Sequence, residues 1–190
     1  EESGRENYGY ISAAANANWT TSTDLALVKS GYGDRNQDTG FTSDQLSTVS
    51  NRGWMRYRLT VTNTSSNNAM TGISMVDILP KPDDYRTGTG ALRDSKWGLY
   101  YGSIESVSKI SLDGETVPLA ENTDYKVYYY RGELDSEADY QGVYNDAMTL
   151  KFDAQSMPDG WSTTAPAEGE TDTDVRAFAV AFSGEISLVG

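Results

Sequence analysis

The sequence predicts an all-β sandwich, and three observations support that fold class. Apolar and polar residues alternate with a period of two in several segments, as they do in strands that have one buried face. These segments are rich in β-branched and aromatic residues and are bounded by Gly, Pro, Asp or Asn. We find no segment with a convincing helical stripe of apolar residues. Short strands separated by loops are typical of two packed antiparallel sheets.

The first three strands are predicted at residues 24–30, 55–62 and 73–79. In the second of these, apolar side chains occupy the odd positions and Arg or Thr the even positions, which requires one buried and one solvated face. In the third, the apolar positions change parity, which indicates a bulge or burial on both faces. Pro80 then ends the pairing of that strand because it cannot donate to a sheet.

Four further strands and three long loops complete the predicted fold. The Asp-Gly pair within residues 112–116 is a strong turn signal and predicts a hairpin. We divide the chain into residues 1–24, an N-terminal arm or edge strand, and residues 25–190, the sandwich domain. The further strands are predicted at 103–112, 125–130, 147–152 and 175–182, and the loops at 31–53, 81–96 and 153–174.

Charge and length limit the partners that the chain can have. Its 190 residues include 15 basic and 28 acidic side chains, which gives a net charge of −13. This charge repels phosphate backbones and anionic membrane surfaces, so we expect no nucleic-acid partner. No apolar run approaches the roughly 20 residues that cross a bilayer, so we expect no membrane insertion either.

The chain contains no His and no Cys, and their absence excludes most hydrolase chemistry. Ser-His-Asp and Cys-His nucleophiles cannot be built from it, and neither can the usual zinc sites. Glycoside hydrolysis needs two carboxylates at a fixed separation, and the sequence does not select such a pair. We therefore expect that the protein is not an enzyme and has no catalytic residues.

Three motifs resemble the Ig-like repeat domains of large Gram-positive surface proteins and adhesins. They are LALVKSG (25–31), GWMRYRLTVTNTS (53–65) and MVDILPKPDD (75–84). The segments LRDSKWGLYYGSIESV (92–107) and TDYKVYYY (123–130) are similar to those that follow in such domains. The resemblance implies an Ig-like antiparallel β-sandwich with long loops, secreted to the bacterial cell surface and attached to the cell wall.

From this resemblance we expect a non-enzymatic extracellular module that acts as a stalk or adhesin domain in cell adhesion. Its partners would be a host glycan or an extracellular-matrix protein, together with neighbouring domains of the same polypeptide. The alternative is a carbohydrate-binding module of a secreted enzyme. Aromatic side chains in the loops are the candidates for ligand contact, or else they cover the ends of the core. These residues are Tyr85, Trp97, Tyr100, Tyr101 and Trp161.

The resemblance also implies an intramolecular Lys–Asn isopeptide crosslink that a buried acid assists. Lys29 would supply the amine and Asp77 the acid. Apolar surroundings favour the neutral amine that this reaction needs. The segment 175–190, where the closing strand is expected, contains no Asn. The other interpretation of Lys29 is a surface lysine at a strand end.

Calcium is the one cofactor that the sequence suggests. Asp34, Asn36, Asp38 and Asp44 place oxygen ligands at spacings similar to those of a Ca²⁺-binding loop. The glycine of this loop falls one position late, and position twelve is Gln45 instead of a bidentate acid. A solvated acidic loop is the alternative interpretation.

Overall fold

Nine strands and one α-helix make up the regular structure within the described residues of the computed structural model. These residues are 14–16, 25–35, 37–41, 50, 52–65, 69–85, 91–93, 95, 97–111, 113–167 and 172–185. A 3-10 helix also spans Gln37–Thr39. The strands are β1 (Ala14–Asn16), β2 (Leu25–Gly33), β3 (Met55–Asn63), β4 (Ser74–Ile78), β5 (Ser108–Ile110), β6 (Thr116–Pro118), β7 (Tyr125–Tyr130), β8 (Trp161–Ser162) and β9 (Ala177–Phe182), and the helix is α1 (Glu137–Ala147).

Five strands form one antiparallel sheet in the order β1-β4-β9-β7-β8. Strand β9 lies at its centre, where Ala179 pairs with Val76 of β4 on one side and with Tyr128 of β7 on the other. β2 and β3 form a separate antiparallel pair, the β2–β3 ribbon, in which Lys29 is opposite Leu59. β5 and β6 form a short hairpin.

One face of the five-stranded sheet packs against α1. The helix buries Tyr140, Val143 and Ala147 in a cluster that includes Tyr128 of β7. The three alternate alanines of β9, at positions 177, 179 and 181, belong to the same cluster. Because alanine side chains are short, they leave room for the helix and for the large tyrosine rings beside it.

The opposite face of the sheet packs against the β2–β3 ribbon. Val127 and Tyr129 of β7 and Val180 of β9 are buried there, and Tyr57 and Leu59 of β3 pack against them. The central strands of the sheet are thus covered on both sides. This explains the change of apolar parity in the third predicted strand, since four of the five residues of β4 are buried.

Several of the predicted strands are confirmed. β7 has the predicted bounds, while β2, β3, β4 and β9 lie within two or three residues of theirs. The predicted hairpin is also confirmed, with Gly114 in the left-handed region (φ +85°) at its turn. The strand predicted at 103–112 is much shorter, because regular pairing is limited to Ser108–Ile110.

The absence of helices and the strand at 147–152 are wrong predictions. Residues from Glu137 to Ala147 form α1, which begins with a capping box: the Ser136 side chain accepts from the Asp139 backbone, and the Asp139 side chain accepts from the Ser136 backbone. The chain then turns at Met148, the C-cap, so that Leu150 enters the core from a turn and not from a strand. The helix carries few apolar residues, which is why its stripe escaped notice.

The β-rich, antiparallel part of the predicted fold class is therefore confirmed, with α1 as an exception to an all-β structure. Within the segment 1–24, the described residues Ala14–Asn16 form the edge strand β1, which pairs with β4. Among the described residues, no helix has the length and apolar character needed to cross a membrane.

Candidate functional site

A buried pair of Lys29 and Asp77 joins the β2–β3 ribbon to the five-stranded sheet. Lys29 Nζ donates hydrogen bonds to both carboxylate oxygens of Asp77, at 2.8 and 2.7 Å. Their side chains are only 8% and 0% exposed. Asp77 lies between Met75 and Leu79, which pack into the cluster facing the ribbon. The two layers are thus connected by a charged contact within apolar surroundings.

Tyr57 of β3 completes this cluster. Lys29 Nζ lies 4.0 Å from the centre of the Tyr57 ring, a distance at which the aromatic face attracts a cation. Burial, the charge of Asp77 and a hydrogen bond with Asp77 together raise the pKa of the Tyr57 hydroxyl well above its usual value. The phenol therefore remains protonated at neutral pH and donates to the carboxylate.

Two opposing effects act on the ammonium of Lys29. Burial lowers the pKa of Lys29 below its usual value, while the charge of Asp77 and the hydrogen bond with it act in the other direction. The positive charge of Arg93 also lowers this pKa. Among the described residues, Asp77 is thus the anion that favours the proton on Nζ.

The structure brings together the amine and the acid of the expected crosslink, but it places no Asn against Lys29 among its described contacts. Asn63, which is buried at the end of β3, accepts a hydrogen bond from the Ser65 backbone. It lies four positions along β3 from the residue opposite Lys29, about 13 Å at the rise of a strand. The crosslink remains a prediction: loss of one ammonia from the intact mass would establish it, and an unmodified mass would exclude it.

A second buried ion pair lies in the segment predicted as a loop at 81–96. The Arg93 guanidinium contacts the carboxylate of Asp84, which is fully buried. The Ser95 backbone N–H donates to the same carboxylate at 3.2 Å. Tyr85 and Leu92 form an antiparallel bridge beside the pair. Sequence reasoning missed Asp84, Arg93 and Tyr57. An Asp and an Arg nine residues apart, at the two ends of a short turn-rich segment, were the available signal for the Asp84–Arg93 pair.

The calcium ligands predicted in the loop at 31–53 are only partly described. Asn36 and Asp44 lie outside the described residues. The carboxylate of Asp34 accepts hydrogen bonds from the backbone and hydroxyl of Ser50, and the hydroxyl is the main cause that lowers the pKa of Asp34. Asp38 is exposed in the 3-10 helix. Across the described part of the chain, no three acidic side chains are grouped closely enough to hold a metal ion.

The five aromatic candidates for ligand contact have very different surroundings. Tyr101 and Trp161 are buried, so neither ring offers a face to a ligand, and the expectation of ligand contact is withdrawn for both. Tyr85 and Trp97 are partly buried, and the Tyr85 ring packs against Tyr140. Only Tyr100 is fully at the surface, with 64% of its area exposed.

Tyr100 borders an open groove of about 640 Å³, the Tyr100 groove, which is within the size range of small-molecule sites, roughly 300–1,000 Å³. Four segments that are distant in sequence form it. The corner after β4 contributes one wall, and the turn after β7 contributes another. Its lining residues are 79–82, 98–100, 131–135, 174 and 176.

Charged residues of both signs line the Tyr100 groove. Lys81 Nζ contacts the Asp135 carboxylate at 2.6 Å. The Arg131 guanidinium donates to Ser162 Oγ, to the Thr164 carbonyl and to Asp172. The Arg176 guanidinium donates to the Thr173 carbonyl. Both arginines are therefore held in place by the protein itself.

Comparison with known proteins identifies no relative for this chain. No protein-family model matches it, no curated protein matches it, and no solved structure matches it.

Proposed function

We propose that this chain is an Ig-like β-sandwich module of a Gram-positive bacterial surface protein, and that it acts as a non-enzymatic stalk unit in cell adhesion. The assignment to a surface protein is supported by the three motifs at 25–31, 53–65 and 75–84, which resemble repeat domains of such proteins. The stacking of the β2–β3 ribbon on the five-stranded sheet supports a sandwich. The helix α1, on the far face of the sheet, is a departure from a sandwich of strands alone.

The observation that carries the stalk role is the Lys29–Asp77 pair. It ties β2 to β4 across the interface between two layers whose described strands belong to separate sheets. When a load is applied to β2, the ribbon separates from the sheet only if this pair breaks within the apolar interior. Separating two buried charges is costly, because neither finds water at once. A module that bears tension benefits from such a contact.

Single-molecule stretching tests this role. We expect the Asp77→Asn variant to unfold at a clearly lower force than the unmodified chain. The control is Val143→Ala, which creates a cavity on the α1 side without touching the ribbon and should cost about 1–3 kcal/mol. If both variants lose thermodynamic stability but only Asp77→Asn loses mechanical strength, the pair bears load. Equal unfolding forces for the two variants would contradict the stalk role.

A second candidate function is carbohydrate binding, either as the adhesive activity of a surface protein or as a module attached to a secreted enzyme. The exposed ring of Tyr100 beside a groove favours it.

A further inference from the structure

We propose that the Tyr100 groove binds a short, uncharged oligosaccharide. This inference rests on the proposed function of a surface module and assigns its adhesive contact to particular residues. Tyr100 would stack on one sugar ring, and the charged side chains of the lining would bond to hydroxyl groups.

The groove is built from segments that the fold holds in place. The Leu99 backbone N–H donates to the Pro80 carbonyl at 2.9 Å, which fixes the position of the neighbouring Tyr100. The Leu79 N–H donates to the Arg176 carbonyl at 2.9 Å, and the Arg176 N–H donates to the Tyr130 carbonyl at 2.8 Å. A site whose walls are already ordered loses little conformational entropy when a ligand binds.

Tyr100 supplies the apolar surface that a sugar needs. The other tyrosine beside it in sequence, Tyr101, is buried and packs edge-on against Tyr129 and Phe178. Tyr100 is instead exposed to solvent and lines the groove. An aromatic ring offers a large rigid contact surface at a low cost in side-chain entropy, and the C–H face of a pyranose matches it in shape.

The charge balance of the groove selects against an ionic ligand. Three basic residues of the lining, Lys81, Arg131 and Arg176, are matched by three acidic ones, which are Glu133, Asp135 and Asp174. An anion would have to compete with Asp135 for Lys81 and with Asp172 for Arg131. A hydroxyl group both donates and accepts, so it can bond to a carboxylate and to a guanidinium without breaking these pairs.

The test is binding of the intact chain to an array of neutral oligosaccharides built from glucose, galactose, mannose and N-acetylglucosamine, with sialylated and sulfated oligosaccharides as the anionic arm. Calorimetry then gives the Kd of any sugar that binds. We expect saturable binding in the neutral arm. Tyr100→Ala should weaken it by a factor of about 10 or more, as removal of an aromatic anchor does, and Tyr100→Phe should retain it.

The matched control is Trp54→Ala, which removes another exposed aromatic ring, 45% accessible, at the end of the β2–β3 ribbon. It should leave the Kd unchanged. No binding by folded protein, binding in the anionic arm alone, or neutral binding that survives Tyr100→Ala would each overturn the inference. A failure here leaves the stretching result for Asp77→Asn untouched, so the two proposals fail separately.

Discussion

Two lysine–aspartate pairs of this protein have nearly the same geometry and opposite surroundings. Lys29 and Asp77 approach to 2.7 Å with side chains that are 8% and 0% exposed. Lys81 and Asp135 approach to 2.6 Å, but their side chains are 33% and 69% exposed. The first pair lies between two layers of the fold, and the second is part of the lining of the Tyr100 groove. Their distances do not distinguish them, whereas their access to water does.

This difference in exposure indicates that the buried pair can matter for stability and the exposed pair for binding. In water, each member of an exposed pair finds replacement partners at once, so the pair contributes about 0–1 kcal/mol. In the interior, each charge depends on its partner, because loss of one leaves the other without solvation. A buried pair is therefore a connection between layers, while the members of an exposed pair can also form hydrogen bonds with a ligand.

The largest effect should follow from Asp77→Asn. This change keeps the shape of the side chain but leaves Lys29 without its counter-ion, beside Arg93 and under the Tyr57 ring. Breaking a buried pair in this way costs about 3–5 kcal/mol in the free energy of unfolding. Urea denaturation monitored by tryptophan fluorescence measures it.

The double variant Lys29→Met, Asp77→Leu is the control for this prediction. It removes both charges together and should recover most of the loss, since apolar replacement of a buried pair is often neutral.

The stability of the Asp77→Asn variant should also depend on pH. The variant should become more stable as pH rises toward the usual pKa of lysine. Burial lowers the pKa of Lys29 in the folded chain, so the unfolded chain binds more protons in that range. A pH-independent loss would contradict this account.

An intermediate effect is expected from Tyr57→Phe. The variant keeps a ring over Lys29 but removes the hydroxyl that donates to Asp77. A hydrogen bond to a charged group contributes about 1.5–3 kcal/mol, and chemical denaturation at pH 7 measures the loss. Above about pH 10 the difference between variant and parent should shrink, because the raised pKa of Tyr57 makes the parent lose stability as the unfolded tyrosine ionises. A constant difference would mean that Tyr57 ionises normally.

The contrast between these pairs also shows what the sequence could predict. Alternation located β3, in which exposed and partly buried side chains alternate along most of the strand. β7 was located by its aromatic and β-branched residues, and it is buried on both faces. Lys29 and Asp77 were singled out only through a resemblance, since they are 48 residues apart and meet only when ribbon and sheet stack. Tyr57 was assigned to the core as one more apolar position, so its hydroxyl was overlooked.

Helix α1 and the Tyr100 groove were not predicted, for different physical reasons. The Ser136–Asp139 capping box is visible in the sequence, but the residues after it include few apolar side chains, so no helical stripe marks α1. The groove has no local signal, because corners after β4 and β7 and two further segments create it together. Tyr100 and Tyr101 are neighbours of the same residue type, and only the fold determines that one is buried and the other exposed.

The smallest effect on stability should come from Lys81→Ala. The substitution removes the ammonium, but the Asp135 carboxylate that it contacts is well exposed and is then solvated by water. The free energy of unfolding should therefore change by about 0–1 kcal/mol. Chemical denaturation in low and high salt measures this, and the small difference should vanish in high salt because exposed charges are screened. A loss as large as that of Asp77→Asn would mean that the groove, and not the interface between ribbon and sheet, holds the fold together. The two lysines would then have exchanged the roles that their exposure assigns to them.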